Sequence, residues 1–414
     1  MPESGKKIKV LHVMESLIGG GGEEWIKNIC TLCDKHGFSF KVYSCGFIYD
    51  SSLFNYTDEF KRNGIEVISR KINLTGQKNK TRVFKDITNR SGSLKQIRRF
   101  FITFLLCLIA FWDLLFVLRR ERFDIIHVHM YRLFIPAGLI GRLYGKAVVH
   151  TVPGLKSQLD SYQPLNFWIY RHFNYLADIF VTGVPREELI NHANVPESKV
   201  RHIKGGVDLT KISVVKREDN PVISEFNLGT SFPVLLSVGR MDPEKGHAYS
   251  IRAVKSLIPR FPDLKLIILG DGPDMEKMRS LVSELGLGGC VILPGFRKDI
   301  VNFHSLSDAY LRTSIFEGAN MASLWAMAYG KAIVAFDTKS GNEILSDGEN
   351  GILVPLKDAG KLAEAIGTLC DDEELRERIG RNARKLICDK FDIMDTIRTY
   401  EDIYRSSLDE ASLG

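Results

Sequence analysis

Short runs of apolar and β-branched residues alternate with helical patterns along almost the whole chain. The first series of runs falls at 7–13, 40–47, 65–69, 123–129, 146–151, 178–182 and 200–203, and the second at 233–239, 264–270, 290–295, 308–314, 331–336 and 351–355. This alternation is typical of right-handed βαβ units, in which helices cover both faces of a parallel sheet. The sequence therefore predicts an α/β fold with two doubly wound parallel sheets.

The length of the chain indicates two domains. At 414 residues it exceeds the roughly 250–300 residues at which single hydrophobic cores stop growing. Polar, Lys- and Pro-bearing sequence interrupts the pattern between 209 and 232, so we expect a linker there, with domains at 1–208 and 233–390. Ligands of doubly wound sheets bind at the carboxyl ends of the strands, and we expect the site in a cleft between the domains.

The net charge indicates which partners to expect, and the cysteine content indicates the cellular compartment. The net charge of +6 and a pI near 8.8 favour anionic ligands or surfaces without requiring nucleic acid, and we predict no nucleic-acid partner. Seven scattered cysteines do not form a disulfide framework, and the polar N-terminus does not read as a cleavable signal peptide. We therefore expect a reducing, cytoplasmic setting.

An apolar run at 100–118, with Asp113 as its one charged residue, is about long enough to span a bilayer as a helix. Spanning is disfavoured because the predicted strands 7–13 and 123–129 on either side of it belong to one sheet. The run is flanked by Lys95, Arg98 and Arg99 and by Arg119, Arg120 and Arg122. Two alternatives stay open: the segment 95–122 lies on an anionic membrane surface, or the helix covers the sheet.

Glycines follow the first predicted strand. Gly19 to Gly22 precede a helix expected to start near Glu23, and glycine lets backbone N–H groups approach a ligand closely. We therefore take Gly20, Gly21 and Gly22 as candidate ligand-binding residues. An ordinary tight turn is the alternative.

A second group of candidates follows the strands of the second series. Arg240 and Lys245 come directly after the strand 233–239, and two cations at a strand end suit a diphosphate. Further along, Glu317 precedes a helix start whose N–H groups at Ala319, Asn320 and Met321 favour an anion. A carboxylate beside such a helix start suits a sugar phosphate, because the acid accepts hydrogen bonds from hydroxyls.

These motifs, in this order and spacing, resemble the retaining, nucleotide-sugar-dependent glycosyltransferases of the GT-B fold, family four. The resemblance covers nearly the whole chain and rests on IGGGGEEWIKNI, DIIHVHM, ADIFVTGVPREEL, VRHIKGGVD, VGRMDPEKG, GDGPDMEKM, PGFRKDI, SDAYLRTSIFEG, AMAYGKAIVAF and NGILVP. It implies two Rossmann-like domains facing across a cleft, with a last helix that returns to the first domain, so that residues 391–414 join 1–208.

The resemblance also implies roles for individual residues. Arg240 and Lys245 hold the donor diphosphate, and Glu317 holds the transferred sugar with main-chain help from Gly318 to Met321. The loop at Phe296 and Arg297 contacts the base. The glycine loop at Gly20 to Gly22 faces the donor phosphate and the acceptor. His129, at the end of a strand, and Gly272, in a strand-end turn, complete the donor-binding set. His127 and His129 lack an evident third metal ligand, so we predict no metal site, and no cofactor besides the donor substrate.

Trp325 departs from the family pattern. Relatives usually carry a second glutamate at this position, which grips the ribose diol, whereas an indole N–H donates a single hydrogen bond. Either other contacts support the donor, or catalysis is lost and the chain is a binding subunit. We predict a retaining, metal-independent transfer to a saccharide or lipid-linked acceptor in cell-surface polysaccharide or lipopolysaccharide assembly, at the inner face of the cell membrane. The silent subunit and a same-fold epimerase or phosphorylase are the alternatives.

Overall fold

The structure, a computed structural model, describes residues 6–15, 17, 21–45, 56–69, 93–129, 131–152, 163–183, 185–315, 321–338 and 343–413. The chain forms two compact units, Met1–Ile203 with Ile397–Gly414, and Lys204–Thr396. Each unit contains one sheet whose paired strands are all parallel. The predicted α/β class with two doubly wound sheets is confirmed.

The first unit is built on a seven-stranded sheet with strand order β3-β2-β1-β4-β5-β6-β7. Its strands are β1 Ile8–Met14, β2 Phe38–Ser44, β3 Glu66–Ser69, β4 Ile125–His129, β5 Ala147–Val152, β6 Ile179–Thr182 and β7 Val200–His202. Its helices are α1 Gly21–Leu32, α2 Thr57–Arg62, α3 Ser93–Arg120, α4 Phe134–Leu143 and α5 Gln163–Phe173. Strand β4 is buried along its whole length, as expected for a sheet covered on both faces.

Helices α3, α4 and α5 lie on one face of this sheet. Leu114 of α3, Ile140 of α4 and Tyr170 of α5 belong to one buried cluster with Leu11 of β1. Ile26 of α1 and Phe60 of α2 form a separate cluster. The chain order explains the division, because right-handed crossovers that run in opposite directions along a sheet place their helices on opposite faces.

The apolar run lies in α3, which packs one side on the sheet and exposes the other. Ala110, Leu114 and Leu118 are buried, whereas Trp112 and Phe116 are more than half exposed. Among the residues that the structure describes, no helix combines the length and apolarity needed to cross a bilayer. Residues 70–92, which precede α3 and carry seven Lys or Arg against one acid, Asp86, lie outside the described residues.

The second unit is built on a six-stranded sheet with strand order β10-β9-β8-β11-β12-β13. Its strands are β8 Val234–Val238, β9 Lys265–Leu269, β10 Val291–Gly295, β11 Ala309–Arg312, β12 Ala332–Phe336 and β13 Ile352–Val354. Its helices are α6 Pro221–Phe226, α7 His247–Leu257, α8 Met275–Glu284, α9 Ile300–Leu306, α10 Met321–Ala328, α11 Ala359–Asp371 and α12 Glu373–Lys390. The last helix, α13 Ile393–Leu413, starts in this unit and continues in the first.

The segment 209–232, predicted as a linker, is a folded part of the second unit. The side chain of Asn220 caps α6 by accepting from the N–H of Val222, and Pro221 occupies the first helical turn. Val222 and Leu228 are fully buried in the core of the second unit. The chain division falls at Ile203–Lys204, a few residues before the 208 that the sequence predicts.

Candidate functional site

One carboxylate organises the turn that carries Arg240 and Lys245. Asp242 Oδ2 accepts a 2.6 Å hydrogen bond from Arg240 Nε, and Asp242 Oδ1 accepts from the backbone N–H of Glu244 at 3.0 Å and of Lys245 at 3.2 Å. The side chain of Arg240 is 60% exposed, so the remaining donors of its guanidinium reach solvent. The turn therefore presents both cations from one capped segment at the end of β8.

Two glycines allow the strand ends of the second unit to approach closely. Gly246 has φ +63°, and a Cβ there would lie 2.1 Å from the carbonyl oxygen of Thr313. Gly270 has φ +134°, and its Cβ would lie 2.0 Å from the carbonyl oxygen of Gly239. Because only glycine adopts these conformations without a clash, the carboxyl ends of β8, β9 and β11 meet around this turn.

Hydrogen bonds join the cationic turn to the chain that leads to Glu317. The N–H of Ile315 donates to the carbonyl oxygen of Glu244 at 2.7 Å, and Thr313 Oγ1 donates to the carbonyl oxygen of Lys245 at 3.1 Å. Residues 316–320 lie outside the described residues, and with them the predicted site residues Glu317, Gly318, Ala319 and Asn320. The described chain resumes with α10 at Met321.

A pocket in the second unit lies beside this turn. Its lining includes Lys245, His247, Arg312, Thr313 and Ser323. Burial, and secondly the charge of Lys245, lowers the pKa of His247 to about 4, so the imidazole is neutral near pH 7. Arg312 is 3% exposed and donates from Nη2 to the carbonyl oxygen of Phe336 at 2.8 Å. The lining thus combines two cations with neutral donors and acceptors.

Sequence reasoning missed His247, Arg312 and the part played by Asp242. The position of His247 directly after Lys245-Gly246, at the start of a helix, was a usable signal. The sequence does not predict that Arg312 lines the pocket, because a single arginine in an apolar strand does not reveal which face of the sheet it occupies.

Met321 and Trp325 lie one turn apart on α10. Both are half-buried and pack against the apolar cluster that contains Leu324 and Met327. Trp325 therefore contributes apolar contact to the core of the second unit.

The predicted base-contacting loop follows β10. Phe296 is 44% exposed. Arg297 is held by two acids, with Nη2 bonded to Glu225 Oε2 at 2.9 Å and Nε to Asp299 Oδ1 at 2.8 Å. The hydrogen bonds that Arg297 donates to the carboxylates of Asp299 and then Glu225 raise its pKa. The Phe296 ring is therefore exposed in this loop, as is the side chain of Lys298.

Gly272 lies against the cationic turn. A Cβ on Gly272 would approach the carbonyl oxygen of Met241 to 2.5 Å. The N–H of Met241 also donates to the carbonyl oxygen of Asp271 at 2.9 Å. The structure thus brings together Arg240, Lys245 and Gly272 among the predicted donor-binding residues.

The predicted glycine loop of the first unit lies partly outside the described residues. Gly20 is among the undescribed positions, and α1 begins at Gly21, earlier than the predicted start near Glu23. Gly22 is exposed, with no atom within 4 Å of a Cβ built there. Of this loop, Gly21 and Gly22 form the first turn of α1.

His129 belongs to a buried cluster of imidazoles in the first unit. It is 6% exposed, its Nε2 lies 2.9 Å from Nδ1 of His12, and its ring centroid lies 4.2 Å from that of His127. Burial, followed by neighbouring histidines, lowers the pKa of His127 and His129 well below the ordinary value. Burial lowers the pKa of His12 to about 3. The cluster is therefore neutral near pH 7.

Ring nitrogens of these three histidines lie within 4.8 Å of one another, but their orientation does not suit a shared metal ion. A metal binds in the plane of an imidazole, and the rings of His12 and His129 are stacked at 21°. His127 bonds Tyr404 Oη at 2.8 Å and Thr151 Oγ1 at 2.7 Å, which occupies both of its nitrogens. The cluster instead links β4 to α13.

Two family models match the chain. The model of glycosyltransferase family 4 matches residues 19–211, and the model of glycosyl transferases group 1 matches residues 220–386. The first match lies mostly in the first unit, and the second lies in the second unit.

Relatives of known activity are also glycosyltransferases. The chain is 26% identical over 298 residues to the UDP-Gal:alpha-D-GlcNAc-diphosphoundecaprenol alpha-1,3-galactosyltransferase of Escherichia coli, covering 70% of this chain and 76% of that one. It is 30% identical over 199 residues, 48% of this chain and 52% of the other, to the N-acetylgalactosamine-N,N'-diacetylbacillosaminyl-diphospho-undecaprenol 4-alpha-N-acetylgalactosaminyltransferase of Campylobacter jejuni.

Solved structures share the fold. HepE of Anabaena in complex with UDP-glucose aligns with a TM-score of 0.77 at 18% identity, over 96% of this chain and 100% of that one. A glycosyltransferase of Rickettsia africae aligns with a TM-score of 0.75 at 18% identity, over 97% and 99% of the two chains. At this level of identity the likeness concerns the fold alone.

Proposed function

The chain belongs to the glycosyltransferases, and on that premise we propose that it moves a sugar from a nucleoside diphosphate sugar to an acceptor hydroxyl with retention of configuration. The observation that carries the proposal is the turn in which Asp242 holds Arg240 and caps the backbone at Lys245. A diphosphate needs two cations offered from one place, because Arg binds it through paired N–H groups and Lys acts as a point charge.

In this proposal the second unit holds the donor. Arg240 and Lys245 bind the diphosphate, Glu317 accepts hydrogen bonds from the hydroxyls of the sugar, and the first N–H groups of α10 face the phosphate. The bond between Ile315 and Glu244 supports this arrangement, since it fixes the chain two residues before Glu317 against the turn that ends in Lys245. Phe296 offers an exposed ring against which a base stacks.

The chemical step follows from those contacts. The acceptor oxygen forms a bond to the anomeric carbon while the bond from that carbon to the diphosphate oxygen breaks, and its electron pair leaves with the diphosphate. The acceptor proton passes to the departing phosphate oxygen on the same face, so no covalent enzyme intermediate forms. Fixed cations and helix N–H groups stabilise the charge that grows on the leaving group, and the proposal assigns no metal to the step.

The acceptor in this proposal is lipid-linked. Two relatives are named for diphosphoundecaprenol-linked acceptors, and another is named for lipopolysaccharide core biosynthesis. We place the chain in the cytoplasm, peripheral to the inner face of the membrane, with the segment 95–122 towards an anionic membrane surface. In this proposal the sugar that the chain transfers becomes part of a cell-surface polysaccharide or lipopolysaccharide.

Trp325 supports a second candidate, a transferase-like subunit without catalysis. The half-buried indole packs on the apolar cluster at the position where the family usually carries a ribose-binding glutamate. A chain of this kind binds a nucleotide and does not turn it over.

The test is a turnover assay with a panel of nucleotide sugars, including UDP-glucose and UDP-galactose, against polyprenyl-diphosphate-linked acceptors. We expect the chain to release nucleoside diphosphate together with a product whose anomeric configuration is that of the donor. The matched control is Arg381→Ala, which removes an exposed arginine of α12 paired with Glu377 and should retain full turnover. Nucleotide binding without turnover supports the silent subunit, and an inverted product contradicts the proposed mechanism.

A further inference from the structure

The outward sides of α3, α4 and α5 carry the exposed apolar residues of the first unit. Eight large apolar side chains of that unit are exposed among the described residues, and all lie on these helices or on the helical turn that follows α5: Leu105, Leu108, Trp112, Phe116, Leu139, Leu143, Trp168 and Tyr175. The five exposed ones of the second unit are scattered from Val214 to Met394. An apolar concentration of this kind marks an interaction surface.

Helix geometry places these side chains away from the sheet. Trp112 and the buried Leu114 are two residues apart, which turns an α-helix through about 200°. Trp168 and the buried Tyr170 stand in the same relation on α5. Leu105, Leu108, Trp112 and Phe116 are spaced by three, four and four residues, so they form one stripe along α3.

The charges of these helices are almost all positive. Helices α3, α4 and α5 contain seven Lys or Arg residues and one acid, Asp113, which is 8% exposed. Arg119 and Arg120 follow the stripe directly, and the guanidinium carbon of Arg120 lies 4.1 Å from the ring centroid of Phe116. Bases therefore border the apolar stripe.

The opposite face of the same sheet has the reverse charge. Helices α1 and α2 cover it together with α13, as the bond from Trp25 Nε1 to Tyr400 Oη at 3.1 Å shows. These three helices contain nine Asp or Glu against five Lys or Arg. A charged plane thus attracts one face of the unit and repels the other, which orients it.

We propose that the outward face of α3, α4 and α5 docks on the surface of an anionic bilayer. The apolar stripe enters the boundary between headgroups and acyl chains, while Arg119, Arg120 and Arg171 contact the anionic headgroups. The charge complementarity selects a bilayer over a second copy of this face, because two copies that each present the exposed Arg119, Arg120 and Arg171 repel one another. This inference rests on the proposed function, because docking would bring the chain to a lipid-linked acceptor in the membrane.

Vesicle flotation of the full chain tests the docking face. We expect the chain to float with phosphatidylglycerol-containing vesicles at low salt and to stay in solution with pure phosphatidylcholine. Trp112→Ser with Phe116→Ser should weaken binding by about tenfold or more, as should Leu139→Ser with Leu143→Ser. Arg119→Gln with Arg120→Gln should weaken it by about fivefold for each cation removed.

Matched controls lie in the second unit. Val214→Ser with Leu356→Ser removes two exposed apolar side chains, and Arg381→Gln removes an exposed base, and both should leave vesicle binding unchanged. Equal binding of wild type and either apolar double variant overturns the proposal. A second result would also overturn the proposal. It is self-association of the wild-type chain, measured by sedimentation without lipid, that is abolished in the Trp112→Ser with Phe116→Ser variant while that variant still binds vesicles.

A thermal-shift titration with nucleotide sugars separates this inference from the proposed function. The docking variants should retain the wild-type shift, because none of the substituted residues lines the donor pocket. Vesicle binding without any nucleotide response overturns the proposed function and supports the docking face. A nucleotide response without vesicle binding supports the proposed function and overturns the docking face.

Discussion

The carboxylate of Asp242 accepts Arg240 Nε at 2.6 Å with one oxygen and caps the backbone N–H groups at Glu244 and Lys245 with the other. Replacing Asp242 with Ala removes the cap, which typically costs about 1 kcal/mol. Asn at this position retains the capping oxygen. We expect Asp242→Ala, and not Asp242→Asn, to lower the urea midpoint of unfolding, and equal midpoints would contradict the capping role.

The cations of the same turn should govern donor affinity. A hydrogen bond to a charged group contributes about 1.5 to 3 kcal/mol, so Arg240→Ala and Lys245→Ala should each reduce kcat/KM for the donor by about 10- to 100-fold. Steady-state kinetics with the best donor of the panel provide the measurement. A loss confined to KM for the acceptor would show that these cations serve a different substrate.

Gly246 is required by the close approach of the β8 turn to the chain after β11. A methyl group there would lie 2.1 Å from the carbonyl oxygen of Thr313, at φ +63°. We expect Gly246→Ala to destabilise the chain by roughly 1–3 kcal/mol, measured by urea unfolding. Gly288→Ala is the control, since a Cβ there meets no atom within 4 Å. Similar losses of unfolding free energy in both variants would contradict the requirement for glycine at position 246.

The buried histidines of the first unit predict a loss of stability in acid. The pKa of His12 and of His150 falls from 6.5 to about 3 because burial disfavours the charged ring. The unfolded chain takes up protons below 6.5 and the folded chain does not, so stability is present above that pH and declines towards about pH 3. His12 and His150 alone give a slope of about 3 kcal/mol per pH unit, and His127 and His129, whose pKa is also lowered by burial, add to it. Unfolding midpoints that stay constant from about pH 7 to about pH 5 would contradict neutral burial.

Trp325 offers a test of ribose recognition. If the position faces the ribose as in the family pattern, Trp325→Glu should tighten nucleotide binding by about tenfold, because a carboxylate accepts from both hydroxyls. Trp325→Gln controls for the loss of the indole. Equal affinities of wild type and both variants, measured by calorimetry, would remove this position from the donor site.

Strand positions could be predicted because buried parallel strands leave a direct pattern in the sequence. The run 331–336 corresponds to β12 Ala332–Phe336, and 7–13 corresponds to β1 Ile8–Met14. Helix α3 extends to Ser93, beyond the apolar run 100–118, because Lys95, Arg98 and Arg99 are good helix formers that do not change the register. The helix α6 was missed inside a polar segment, although Asn220 before Pro221 is a helix-start signal.

The site was predictable only in part. Arg240 and Lys245 could be placed because position after a strand decides their location in a parallel sheet. Arg312 could not be placed, because its position in the pocket depends on which faces of β8 and β11 meet, and that is decided by packing across the sheet. His247 could have been included, because it directly follows Lys245-Gly246 at the start of a helix. The burial of His129 among His12 and His127 likewise depends on strand register, which pairs His12 with His127 across β1 and β4.

Calorimetric titration of UDP into the wild-type chain, Arg240→Ala, Lys245→Ala and Arg381→Ala measures whether the turn after β8 holds a diphosphate. We expect one nucleotide per chain, with affinity reduced by about tenfold or more in the first two variants and retained in the third. The same affinity in all four proteins would show that the turn after β8 does not hold the diphosphate.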